Sequence, residues 1–363
     1  MIPLRNLIKP FLKVGLFGFG GGAGMLAILR NECVRKQKLI SDEELATAVA
    51  IGQMLPGPFV PNYCEYIGYR LAGIKGAIVS GTALLLPSFI LMLILSYLYF
   101  IFHTIPVISQ IFKGIGAVMT AIIIWASYDM GRVLIKDLKG ILIFLFTLIL
   151  FLAKFDPVLT VLLAGALNII LEHFKSPKLL FATPVFLFDL KKALELFLIF
   201  FKIGAVIFGG GYAAIPFIQK EVCIYRNWLN GREFLDGFAL GQITPGPVAI
   251  TATFVGFKVM GIPGAFISTI GIFLPSFLML ILLVKIYKRI ENKPYVRSFF
   301  NGVKSAVVAI LLSTGIFFIP MNWSYLPYGI LGVFCLLLLI FLKEKIEPIF
   351  LILVGIFFSL IFR

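Results

Sequence analysis

Two short motifs stand out for the chemistry their residue types allow, and each occurs twice. Phe19-Gly20-Gly21-Gly22 and Phe208-Gly209-Gly210-Gly211 set three glycines in a row inside apolar segments. Pro56-Gly57-Pro58 and Pro245-Gly246-Pro247 set two prolines within a triplet. Each glycine in a helix gives up about 1 kcal/mol relative to alanine, and proline removes a backbone donor and disrupts helical hydrogen bonding. Backbone broken in this way leaves N–H groups to point at a ligand, and the partial positive charge of helix N-termini suits an anion. Repeated polar residues complete a candidate binding site. Lys13 and Lys202 stand six residues before the Phe-Gly-Gly-Gly motifs and can bring positive charge toward the anion. Gln53 and Gln242 stand three residues before the proline triplets, where an amide can donate to an oxyanion. Glu32, Glu221, Arg70 and Lys258 are further repeated charges and suit gating or coupling.

Plainer readings stay open beside these. Glycines in membrane helices are often close-packing points, lysines near segment ends snorkel, and loop charges pair for structural reasons. Pro87 and Pro275, each within Leu-Pro-Ser-Phe, read equally as simple kinks. Glu65, Asp129 and Glu195 have no identical acidic partner in the other copy and receive no assignment.

The motifs belong to one long internal repeat. Phe11 to Gly22 (FLKVGLFGFGGG) aligns with Phe200 to Gly211 (FFKIGAVIFGGG) at a spacing of 189 residues. That spacing holds through Glu32/Glu221, Glu44/Glu233, Gln53/Gln242 and the proline triplets. One residue is then lost, and at a spacing of 188 Gly68, Gly73, Gly76, Ser80 and Pro87-Ser88-Phe89 fall on Gly256, Gly261, Gly264, Ser268 and Pro275-Ser276-Phe277. The chain therefore reads as two copies of one module, 1–176 and 177–363.

Composition decides what surrounds these modules. Of 363 residues, 60% are hydrophobic and 13% charged, against about 45–50% and about 25% in soluble domains. A soluble core cannot hide so much apolar surface, which points to lipid and excludes a cytosolic enzyme. The formal charge of +15 would suggest nucleic acid in a soluble protein. Here the basic residues sit between apolar runs, as cytoplasmic loops do, and nucleic acid is not an expected partner. The four cysteines and two histidines form no ligand cluster, so no metal, disulfide framework or cofactor is expected. The N-terminal sequence MIPLRNLIKP lacks a signal-peptide cleavage pattern, and the first apolar run is expected to stay in the chain.

Each half repeats one order of apolar segments: a glycine-interrupted one (11–29; 193–218), a shorter one carrying the proline triplet (45–62; 234–252), a long helix with an internal proline (66–101; 255–287), and three more. Loop charge suggests that the halves are inverted. Residues 97–109 carry no Lys or Arg, whereas 285–297 carry five; Arg132, Lys136 and Lys139 then face an uncharged 320–328. This alternation places equivalent loops on opposite sides, with Lys175, Lys178, Lys191 and Lys192 of the central linker in the cytoplasm. The expected fold is an all-α polytopic membrane protein of two inverted-topology repeats, with about ten crossings and one re-entrant or broken segment among the first two of each half. Transporters place such breaks at the repeat interface.

The order FGGG, an acid in a basic loop, GQ-x-x-PGP, G-x4-G-x2-GA and LPSF, given twice, resembles the chromate ion transporter family in its long, two-module form. The second half carries the fullest match: FGGGYAAIPFIQKEV, NWLNGREF, GQITPGPVAI and GFKVMGIPGAF. The first half departs in reading FGFGGGAG and in placing Cys64 and Glu65 after its triplet. The resemblance implies a multi-pass carrier of the inner (plasma) membrane that exports chromate, with sulfate as a related or exchanged anion. A carrier of another anion, such as an organic acid or a lipid-linked one, or an anion channel is the alternative. No P-loop occurs, and no catalytic constellation repeats with the modules, so an enzyme is not expected. The expected partners are a small inorganic oxyanion, the bilayer and, as one open oligomeric state, a second copy in a homodimer.

Overall fold

A computed structural model describes residues 2–18, 21–153, 155–173, 190–208, 211–283, 294–342 and 348–361. Every regular element among them is helical. The first half holds α1 (Arg5–Phe17), α2 (Gly21–Arg30, continued by a π-helical turn Asn31–Lys36), α3 (Asp42–Met54), α4 (Phe59–Phe102), α5 (Pro106–Leu134), α6 (Leu138–Leu152) and α7 (Pro157–His173). The second holds α8 (Leu190–Val206), α9 (Ala214–Gln219, continued by a π-helical turn Lys220–Tyr225), α10 (Gly231–Ile243), α11 (Thr251–Leu283), α12 (Pro294–Asn322), α13 (Leu326–Leu342) and α14 (Pro348–Ile361). Apolar side chains lie on both sides of these helices: Ile122 and Ile310 are fully buried, while Ile90, Leu138 and Phe341 face outward. Chains of this kind are solvated by lipid.

Both of the first two segments fold back on themselves, where the sequence reading expected one. Lys13 and Glu32 lie 19 residues apart, roughly 28 Å along a straight helix, yet their side chains meet at 3.0 Å. The chain therefore reverses between α1 and α2, at the glycine run. Asn62 Nδ2 likewise donates to the Gly52 and Pro56 carbonyls, at 3.2 Å each, which sets the start of α4 against the end of α3 with the proline triplet at the tip.

A third reversal was not anticipated. Helical geometry in α4 is interrupted at Ala72 and Gly73, and in α11 at Met260 and Gly261, with φ of +63° at both glycines. Thr253 and Thr269 span this break and bring their hydroxyls to 2.7 Å, against roughly 24 Å in a straight helix. Each of α4 and α11 is thus a short arm (59–71; 251–259) doubled back on a long one (74–102; 262–283). Gly68 packs on Gly76 and Ser80, and Gly256 on Gly264 and Ser268, so closely that no side chain would fit. Pro87 and Pro275, the expected kinks, lie within helical backbone.

That both return differs from the expectation that one of the first two segments of each half passes through. Among the described residues, four helices are long and apolar enough to cross a membrane: α4, α5, α11 and α12. α6, α7, α13 and α14 are apolar but have 14–17 residues, near or below the length a span needs.

The halves pack against each other through α5 and α12, which run antiparallel: Ser127 Oγ donates to Val308 O at 2.9 Å, and Asn322 Nδ2 to Thr120 Oγ1 at 3.1 Å. The α4 long arm leaves its own turn at Gly73 and ends beside the turn of the other half. There Phe100 stacks on Phe254 at 4.9 Å, and Tyr99 OH donates to Asp236 Oδ2 at 2.7 Å. The hairpin bases of the two halves therefore lie at opposite ends of that arm, and the hairpin tips lie between them.

Candidate functional site

The tips meet by a reciprocal exchange between halves. Gly57 N–H donates to Ile207 O at 2.6 Å, and Gly246 N–H donates to Gly18 O at 3.0 Å. Gly57 and Gly246 are equivalent in the repeat, and so are Gly18 and Ile207, so each proline triplet binds the carbonyl just before the glycine motif of the opposite half. The Leu-Pro-Ser-Phe serines also lie against the opposite tips, although Ser276 Oγ donates to Phe273 O of its own helix at 2.9 Å. Ser88 Oγ donates to Pro245 O at 2.6 Å, while a Cβ on Gly57 would lie 2.7 Å from Ser276 Cβ. Glycine is required at both tips, because φ is +96° at Gly57 and +111° at Gly246, a conformation other residues reach only with strain.

Pro56, Pro58, Pro245 and Pro247 are buried with these glycines. Pro58 starts the α4 short arm without a side-chain cap, and Pro247 starts the turn Val248–Ile250 ahead of α11 in the same way. Proline suits such a start, since its missing N–H has no helical partner to lose. The first N–H groups of these arms therefore open toward the meeting of the tips. Gly21 and Gly22 form the first turn of α2, Gly211 begins a 3-10 turn against Val248, and Phe208 is half-buried after α8. Phe19, Gly20, Gly209 and Gly210 lie outside the described residues, as do Lys175 and Lys178 of the linker and Lys285, Lys288, Arg289 and Lys293 of the second-half basic loop.

The two glutamines differ. Gln242 is half-buried; its Oε1 accepts from Tyr212 OH at 3.3 Å, while its buried Nε2 has no partner. Gln53 is exposed in the last turn of α3. An unpaired buried donor costs about 1–3 kcal/mol, so Gln242 Nε2 is a group that a bound acceptor would satisfy.

The repeated charges pair with one another, each within its own half. Lys13 bonds Glu32, which also takes Lys36 at 2.8 Å. At the equivalent place Lys202 lies 3.4 Å from Glu221, which also takes Arg226, and Lys202 reaches Asp156 at 3.3 Å. Glu32 and Glu221 are buried with their partners only partly so. Arg70 bonds Glu44 at 2.5 Å, and Lys258 bonds Glu233 at 2.9 Å. These pairs close the hairpin bases and flanks, away from the tips. Outside the apolar segments, the hydrogen bond from Arg30 holds the Asp42 carboxyl below its ordinary range.

Glu44 and Glu233 were visible as repeated acids but carried no role in the sequence reading. Each is the third residue of a helix capped reciprocally: Ser41 Oγ accepts from Glu44 N and Glu44 Oε2 from Ser41 N, and Asn230 and Glu233 do the same. The spacing of Ser41 to Glu44 is the signature of such a box. Ser88, Ser276, Asn62 and Tyr212 also escaped the sequence reading; only the repeat of Ser-Phe after Pro87 and Pro275 signalled the first two. Among the described residues, no group of three His, Cys, Asp or Glu could hold a metal ion.

Comparison with known proteins agrees with this duplicated plan. A family model described as chromate transporter matches residues 5–169 and again 194–360. The chain is 28% identical over 361 residues to a chromate transport protein of Cupriavidus metallidurans, covering 95% of this chain and 90% of that one. It is 32% identical over 334 residues to a chromate transport protein of Pseudomonas aeruginosa, covering 86% and 80%. An uncharacterized transporter of Methanocaldococcus jannaschii is 30% identical over 346 residues, covering 88% and 85%. No solved structure matches the chain.

Proposed function

The chain belongs to the chromate transporter family, and from that premise we propose that it is a secondary carrier of a tetrahedral oxyanion across the inner membrane. The oxyanion is chromate, moved outward, with sulfate as the related or exchanged anion. The observation that carries this reading is the reciprocal bonding of the Gly57 and Gly246 tips to the opposite half. It supports an anion seat among the tips, where uncapped helix starts supply N–H donors and partial positive charge. Gln242 Nε2 adds a donor without a partner.

The same geometry suggests a mechanism. The halves are read as inverted repeats whose hairpin bases face opposite sides. Rocking one half opens the seat to one side while the other half keeps it closed. The tip contacts are neutral backbone bonds, worth about 1 kcal/mol net each, so an anion can replace them without a high barrier. Lys13 and Lys202, with Glu32 and Glu221, then act as latches that hold each hairpin closed, and lend the seat positive charge when a latch opens.

Radiolabelled chromate and sulfate flux into liposomes holding the purified protein, with and without internal sulfate, tests the proposal. Saturable uptake of one anion, competed by the other and accelerated by internal sulfate, is expected. Flux that rises linearly with concentration would mark a channel, and movement of neither anion by folded protein would remove the substrate assigned.

A further inference from the structure

A second cationic site lies at one end of the molecule. A cavity of about 360 Å3 opens where α5 meets the start of α10 and the α12–α13 loop. Lys113 and Arg232 line it with Gln110, Asn322, Tyr325 and Tyr328, and no carboxylate does. Among the described residues Lys113 has no hydrogen bond or ion pair. Arg232 gives one N–H to Ser109 O at 3.1 Å and has no ion pair, which leaves the rest of its fork free. Gln110 Nε2 donates to Tyr328 OH at 2.7 Å, so the Tyr328 proton is free to donate into the cavity. Two cations facing one space with hydroxyl donors, of which only Arg232 feels a nearby carboxylate, the buried Asp236 already bonded to Tyr99, select a compact, multiply charged acceptor.

The site is separate from the tips and is not copied by the repeat. Arg232 stands 14 residues before Gly246, about 20 Å along α10 and its tip. The residues equivalent to Lys113, Arg232 and Tyr325 are Asn301, Glu43 and Asp137, so the opposite end has acids or an amide where this end has cations and a phenol. Loops 97–109 and 320–328 at this end carry no Lys or Arg, while the loop before α10 carries Arg226, which meets Glu195 near the start of α8.

We propose that Lys113 and Arg232 form a peripheral site for a free tetrahedral oxyanion, which gathers or holds the anion at this one mouth of the molecule. Its role in transport rests on the carrier reading above; the binding itself does not. Neither cation takes part in the tip contacts, so their removal leaves the central seat in place.

Equilibrium binding of sulfate is measured on the full chain in uncharged detergent, for wild type, Lys113→Gln, Arg232→Gln and the double variant, with thermal midpoints confirming the fold. Two classes of site are expected in the wild type. One class should weaken about tenfold in each single variant and vanish in the double variant. In oriented proteoliposomes the double variant should raise the half-saturating anion concentration severalfold from one side of the membrane and leave it unchanged from the other. Equal binding by wild type and double variant would overturn the site while leaving the carrier reading intact. Loss of flux in wild type with the variant-sensitive binding retained would instead count against the carrier reading alone. A parallel titration in nanodiscs separates sources: sulfate binding that persists with 20% phosphatidylglycerol supports a free anion, and its abolition there would show a lipid headgroup as occupant and overturn the proposal.

Discussion

The reciprocal contact of the tips can be broken at one atom. Alanine at Gly246 must adopt φ near +111°, a strain of about 1–3 kcal/mol. Its Cβ would also overlap Ser88 Oγ and lie 3.0 Å from Ser88 Cβ, which adds about 1–3 kcal/mol of overpacking. Gly246→Ala should therefore cost roughly 2–6 kcal/mol, much of the stability of an ordinary domain. Ser88→Gly alone forfeits the bond to Pro245 and places a further glycine in α4, about 1–2 kcal/mol. In the double variant the overlap disappears but the backbone strain remains, so the two costs should fall short of their sum by about 1–3 kcal/mol. Tryptophan-monitored denaturation of all four proteins in one detergent measures that coupling, and proteoliposome flux shows whether relief of the overlap restores transport. Additive costs, within about 0.5 kcal/mol, would mean that Gly246 and Ser88 do not meet, and the interlocked tips would be refuted. Gly57 and Ser276 repeat the test in the other half, where the distance to Ser276 Cβ is 2.7 Å.

Gly73→Ala and Gly261→Ala meet no atom within 4 Å but must hold φ of +63°; each should lower stability by about 1–2 kcal/mol, and no shift in thermal midpoint would dispute the reversals in α4 and α11. Lys202→Ala leaves Glu221 with Arg226, so it should destabilise less than Arg226→Ala as read by thermal midpoint; if instead it changes only anion affinity, Lys202 is a ligand rather than a latch. Gln242→Leu should weaken anion binding severalfold with stability unchanged or raised, because it removes an unsatisfied buried donor, and unaltered affinity would strike Gln242 from the seat. Glu65→Thr combined with Gly81→Thr copies the Thr253–Thr269 pair into the first half and should raise the thermal midpoint, since Glu65 Oε2 has no partner; a lower midpoint would contradict that account.

The break points were legible because they are duplicated: glycine runs and proline triplets at matching places cannot both be chance packing, and the helices that flank them double back. What each turn does was harder to see. Gly73 sits in an apolar stretch with helical periodicity on either side, and nothing local tells a kink from a full reversal. Pro87 drew attention instead, but proline in a lipid-facing helix loses one hydrogen bond that neighbours and side chains can make good. The charges were located but their partners were not, since Lys13 and Glu32 are 19 residues apart and Arg70 and Glu44 are 26 apart in sequence. Such pairs form only once the chain doubles back, which long-range packing decides.

The repeat is strict where the halves meet and loose where each meets its own end. Gly18 and Gly57 have counterparts that occupy the same reciprocal positions, whereas Thr253 and Thr269 stand where the first half has Glu65 and Gly81, and Lys113 and Arg232, one from each half, have Asn301 and Glu43 as their counterparts. The difference has a physical reason. A contact at the tips is repeated reciprocally by the other copy, so a change there must suit both halves at once, while a contact near one end, even one that crosses to the other half as Arg232 does to Ser109, is made at that end alone and can diverge. Such a molecule can hold an anion in a nearly two-fold seat and still distinguish its two sides. Variants at the tips should consequently slow flux equally from both directions, and variants at Lys113 or Arg232 should act from one.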